Sequence, residues 1–161
     1  MVQLLIWAPV VLLPLSNLLS AVNSGVSFDF SQTVLWGFGA VAEELFYRFF
    51  LLKKLLLERS AMKPANAVLL VSLLFAVMHL FNLRTGMSVS LVLVQAYCAF
   101  CFSVWSGTVV WKKQSLTVPL LAHVLLNLTA FEGGGALIPV VAGILVLFDG
   151  LFLLSIISPT K

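Results

Sequence analysis

The residues of this chain best equipped for chemistry stand where they are costly to keep. Glu43, Glu44 and Arg48 interrupt one apolar segment, while His79, His123 and Asn127 lie within two others. A carboxylate or guanidinium at the centre of a spanning helix costs about 2.5–3.5 kcal/mol on insertion scales, so the first three would cost roughly 8–10 kcal/mol unpaired. Each neighbouring Leu, Phe or Val returns only about 0.3–0.6 kcal/mol. These charges are therefore expected to face the protein interior and to have partners. Helical spacing supplies one pair, since Glu44 and Arg48 are four residues apart and share a face. A planar guanidinium can hold a carboxylate through two parallel hydrogen bonds. Glu43 is rotated about 100° from Glu44 at 3.6 residues per turn and is left for another task. Phe75 with His79, and His123 with Asn127, are further pairs at four-residue spacing. A carboxyl, two imidazoles and an amide that converge could do acid–base chemistry. The same set could instead form an interhelical lock or a proton relay.

The elements that must carry these side chains follow from composition. Of 161 residues, 61% are hydrophobic and 9% charged, against about 25% charged in an average soluble domain. The mean hydropathy of +1.14 agrees. A chain this short could not hide so much apolar surface from water, and lipid is its natural solvent. The expectation is an all-α, polytopic transmembrane helical bundle forming a single domain over 1–161.

A span needs about 20 apolar residues, and the punctuation suggests about six: Met1 to Val22, Gln32 to Glu58, Ala65 to Asn82, Met87 to Trp111, Ser115 to Phe131, and Ala136 to Ile157. The first run has no basic n-region and no clear cleavage site, and reads as a span rather than a signal peptide. Lysine and arginine favour cytoplasmic loops. With both termini inside, Lys53, Lys54, Arg59, Lys63, Lys112, Lys113 and Lys161 fall on the inner side, and Arg84 alone lies in an outer connector. The net charge of +3 is explained by this placement at segment ends, and nucleic acid is not an expected partner. Cys98 and Cys101 form a C-x-x-C without the βαβ context of a redox motif, and read as packing residues.

Depth along these segments permits convergence. Glu43 stands ten residues from Lys53 and His123 ten from Lys113, each about 15 Å of helix. His79 stands fifteen residues beyond Pro64, about 22 Å. All three levels fall within a hydrocarbon core of about 30 Å.

With the residues in place, a resemblance can be stated. Glu43-Glu44-Leu45-Phe46-Tyr47-Arg48 resembles an E-E-x-x-x-R motif, Phe75 to His79 resembles F-x-x-x-H, and His123 to Asn127 resembles H-x-x-x-N. Their order on separate segments is similar to the CPBP intramembrane peptidases, also called the Abi or type II CAAX prenyl endopeptidase-like family. The resemblance covers roughly 36–131. It implies an intramembrane protease that cleaves a lipidated or membrane-associated protein or peptide, CAAX-type or bacteriocin-related. It further implies Glu43 as general base, His79 and His123 as orienting groups, Asn127 as oxyanion donor, and Glu44–Arg48 as a structural ion pair. Phe49 stands where the motif commonly continues with Gly, and the segment count is below that of the prenyl endopeptidases.

Cofactor use stays open at this point. Two histidines and a carboxylate are a ligand set zinc accepts with water in the fourth position, so Glu43, His79 and His123 could hold a divalent metal. No H-E-x-x-H motif is present to require one. A non-catalytic scaffold or bacteriocin self-immunity protein of the same fold is the alternative, and a proton or ion carrier a further one. The compact length points to a prokaryotic plasma membrane.

Overall fold

A computed structural model describes residues 2–24, 30–58, 62–129 and 137–156. Every regular element among them is helical. Helix α1 is Val2–Ser24. Helix α2, Phe30–Glu44, runs without a break into a π-helical segment, Leu45–Leu52, and then into α3, Lys53–Glu58. Helix α4, Pro64–Met78, tightens into a 3₁₀ segment, His79–Thr85. Helices α5 (Val89–Lys113), α6 (Thr117–Leu128) and α7 (Leu137–Ile156) complete the chain. Six helical rods thus follow the six apolar runs of the sequence. Arg59 and Lys161, part of the expected orientation signal, and the Glu132–Gly135 break lie outside the described residues.

Four of these rods are long and apolar enough to cross a membrane by themselves: those at Gln3–Val22, Pro64–Thr85, Val89–Lys113 and Ile138–Ser155. The other two fall short of the six expected spans for different reasons. The rod at 30–58 carries the intramembrane charges. Helix α6 has only 12 residues, about 18 Å of rise against a core of about 30 Å.

Local signals set the helix ends. Pro64 occupies the first turn of α4 behind an extended Lys63, where its missing N–H is no loss. Ser88 caps α5 by accepting from the Leu91 N–H at 3.4 Å. Gly86, at φ 88°, closes the 3₁₀ segment in the left-handed region that glycine enters freely.

Helix α5 is the axis of the bundle, with every side chain from Cys101 to Val109 buried. Small residues let its neighbours approach, the usual device where lipid removes any hydrophobic drive between helices. A Cβ at Gly150 of α7 would stand 2.8 Å from the Trp105 backbone. One at Gly107 would stand 3.2 Å from Val68 of α4. Cys98 and Cys101 are free thiols whose sulfurs would both lie 3.7 Å from a Cβ at Gly143, beside α7.

Helix α1 docks through a consequence of its own sequence. Pro9 lacks the N–H that would bond to the carbonyl of Leu5, and the Trp105 indole donates to that carbonyl at 3.4 Å. Elsewhere the outer faces are strongly apolar. Leu35, Phe38, Leu73 and Phe148 are all more than half exposed, as lipid-facing side chains are. The protein is an integral membrane protein.

Candidate active site

Two changes of helical pitch shape the site. At 3.6 residues per turn, the second segment would present a regular stripe. Its π-helical stretch, Leu45–Leu52, buries Tyr47, Arg48 and Leu52 while Phe46, Phe49 and Phe50 face outward, and with Glu44 the buried set keeps the spacing of a helical face. Phe49 is 58% exposed, so the bulky residue in the place of the motif's glycine faces largely outward. Helical bulges of this type are frequent at functional sites. The second change is the tightening of α4 at His79, which ends the α-helix there.

The innermost part is a charged cluster around Glu44, whose side chain is fully buried, as is that of Arg48. Arg48 Nε lies 3.4 Å from Glu44 Oε2. Ser106 of α5 stands between them: Arg48 Nε donates to Ser106 Oγ at 3.0 Å, and Ser106 Oγ donates to Glu44 Oε2 at 3.1 Å. The pair is therefore not the two-pronged clamp that spacing suggested. Arg48 uses Nε, and its Nη1 and Nη2 have no hydrogen-bond partner among the described residues. Aromatic faces take their place. The guanidinium carbon lies 4.5 Å from the Phe75 ring centroid and 5.8 Å from that of Phe102, contacts worth about 0.5–2 kcal/mol each.

The other oxygen of Glu44 reaches α6. His123 Nδ1 lies 3.0 Å from Glu44 Oε1, and His123 Nε2 lies 3.6 Å from Glu43 Oε2. One imidazole thus stands between two adjacent carboxylates. A carboxylate only accepts, so Nδ1 carries the proton in that bond and Nε2 faces Glu43. His123 is held edge-on to Phe75 and tilted on Phe102, with centroids at 5.8 and 4.9 Å. His79 is set in the same way. Its Nδ1 donates to the carbonyl of Phe75 at 2.9 Å and its ring is edge-on to Phe75 at 4.8 Å. Both imidazoles therefore keep Nε2 as the free nitrogen, with Phe75 as the wall they share.

Burial separates the two glutamates. Glu44 is sealed, whereas the Glu43 side chain is 41% exposed beside a His123 that is 5% exposed. A reacting group could meet Glu43 without opening the charged cluster.

Asn127, one turn beyond His123, also reaches α2. Its amide donates to the carbonyl of Trp36 at 2.9 Å rather than to Glu43 or an imidazole. A second N–H of that amide remains. The four expected side chains are therefore linked unequally: Glu43 with His123 directly, His79 through Phe75, and Asn127 from the next turn of α6.

Among the described residues no group of three His, Cys, Asp or Glu side chains is placed to hold an ion. No step is routed through a metal.

Sequence reasoning missed Ser106 altogether, and missed that Glu44 serves His123 as well as Arg48. Nothing in the spacing of α5 marks Ser106. A hydroxyl in a helix otherwise read as apolar was the only available sign.

Comparison with known proteins identifies a family. Residues 26–129 match the family described as type II CAAX prenyl endopeptidase Rce1-like. Searches of curated proteins and of solved structures give no match. The matched stretch runs from the segment before Glu43 to just past Asn127, and includes every side chain of the cluster. This chain belongs to the type II CAAX prenyl endopeptidase Rce1-like family of membrane proteases.

Proposed function

We propose that the protein hydrolyses a peptide bond in a lipidated or membrane-associated protein or peptide, with water activated by Glu43. CAAX-type substrates are the class its family favours, with bacteriocin-related peptides as the other. The observation that carries this reading is the approach of Glu43 Oε2 to His123 Nε2 at 3.6 Å, next to an imidazole already tied down at Nδ1. That separation exceeds a direct hydrogen bond. A water lying to one side can touch both atoms.

In this mechanism Glu43 takes a proton from that water as its oxygen attacks the scissile carbonyl carbon. His123 and His79 each present Nε2 as an acceptor, which orients the attacking water and an N–H of the reacting peptide. The second N–H of Asn127 donates to the developing oxyanion. Glu43 then returns the proton to the leaving nitrogen as the C–N bond breaks. Glu44 and Arg48 remain a structural pair beneath the reacting groups.

The test is Glu43→Gln in purified protein, assayed on a prenylated peptide with a fluorescent reporter. Loss of cleavage with an unchanged unfolding profile is expected, because a side chain 41% exposed contributes little to packing. Turnover retained by Glu43→Gln rules out Glu43 as the base.

A further inference from the structure

Ser106 lies outside all three motifs, yet its hydroxyl hydrogen-bonds to both members of the buried ion pair. Its polarity is forced. A guanidinium can only donate and a carboxylate can only accept. The Ser106 oxygen must therefore accept from Arg48 Nε, and its single proton must go to Glu44 Oε2. With Oε2 held by Ser106 and Arg48, the carboxylate plane is set and Oε1 is left for His123 Nδ1 at 3.0 Å. That bond in turn decides which nitrogen of His123 carries the proton when the ring is neutral. The nitrogen facing Glu43 is then the free one.

We propose that Ser106 is a positioning residue for the reaction: through Glu44 it fixes the orientation and tautomer of His123, so that Nε2 is presented to Glu43. This rests on the hydrolytic reading of the site, but its first consequence can be measured without any substrate. Ser106 is fully buried among packed neighbours, so loss of the hydroxyl must be separated from a change of shape. Ser106→Thr and Ser106→Val have nearly the same shape and differ in the hydroxyl.

The chain has two histidines, so ¹⁵N-histidine NMR of the protein in lipid nanodiscs gives two sets of ring signals, assigned with His79→Gln. At a pH where the rings are neutral, His123 should be the Nδ1–H tautomer in the wild type and in Ser106→Thr, and a tautomer mixture in Ser106→Val. On a quenched fluorescent prenylated peptide, kcat should fall about 10–100-fold in Ser106→Val, by analogy with removal of the hydrogen-bond partners that orient metal-binding histidines. KM should be unchanged, and Ser106→Thr should recover most of kcat. If Ser106→Val does not fold, Ser106→Cys, a weaker donor of similar size, should give a kcat below that of Ser106→Thr but above full loss. A Ser106→Val protein that keeps the single Nδ1–H tautomer overturns the proposal. So does a Ser106→Thr protein that loses as much kcat as Ser106→Val. The expected tautomer pattern in a wild type that cleaves no peptide would overturn the hydrolytic reading and leave the role of Ser106 in setting His123 intact.

Discussion

Replacing Glu44 by Gln should separate two tasks that one side chain performs. Two hydrogen-bond donors and one cation meet its carboxylate: His123 Nδ1 at 3.0 Å, Ser106 Oγ at 3.1 Å and, as an ion pair, Arg48 Nε at 3.4 Å. A glutamine offers one oxygen and one NH2. Whichever way it turns, its NH2 meets a donor, and one charge-assisted bond of about 1.5–3 kcal/mol is lost. The larger effect is on Arg48, which is fully buried and would lose its counter-ion. Breaking a buried pair from one side costs about 3–5 kcal/mol, and the two losses overlap, so about 3–5 kcal/mol is expected in total. Adding Arg48→Met removes the orphaned charge. Exchange of a buried ion pair for apolar groups is often neutral or stabilising, so the double variant should recover to within about 2 kcal/mol of wild type on the same grounds. Cleavage should not recover with it, because the introduced amide still cannot serve Ser106 and His123 together. The two cysteines provide the probe, since Cys101 is buried and Cys98 half-buried. A thiol-reactive fluorophore reports unfolding in detergent as they become accessible. A single variant that loses less than about 1 kcal/mol would refute the ion-pair argument. A double variant that regains stability and full cleavage would refute the link from Glu44 to His123.

Other outcomes follow from separate contacts. Gly150→Ala places a methyl 2.8 Å from the Trp105 backbone, which cannot move aside as a flexible side chain would, so a loss of about 1–3 kcal/mol is expected; an unchanged unfolding midpoint would contradict that packing. Trp105→Phe should cost about 0.5–1.5 kcal/mol for its bond to the Leu5 carbonyl, beyond the effect of its smaller volume. Pro9→Ala restores a backbone N–H for that carbonyl, so the double variant should lose less than the sum of the two, and strict additivity in the thiol assay would show that the carbonyl is not shared. Cleavage by the purified protein should survive a divalent-metal chelator, given the ligand arrangement; loss of activity that added zinc alone restores would reverse this.

The outlines of the molecule were legible in its sequence because they depend on local quantities. Apolar runs and their breaks locate all six rods, and the cost of charge in hydrocarbon singles out Glu43, Glu44 and Arg48 before any contact is known. Four-residue spacing brings Glu44 to Arg48 and the His79 ring onto Phe75, since both are facts about one helix. What happens between helices was not available in that way. Ser106 lies 58 residues from Arg48 and 62 from Glu44, and only the crossing of α5 with the second rod makes it their bridge. The packing of α6 against α2 gives Glu44 its second partner and turns Asn127 toward Trp36. The π-helical geometry of Leu45–Leu52 was likewise not announced by any local pattern, although the shared inward face of Tyr47, Arg48 and Leu52 follows helical spacing. Asp149, in the apolar run of α7, has both carboxyl oxygens buried without a hydrogen-bond partner among the described residues, and the same insertion cost applies to it. Sequence alone therefore determined which side chains needed partners. Packing decided which partners they received, because a hydrogen bond across helices depends on distances of a few tenths of an ångström that periodicity does not encode.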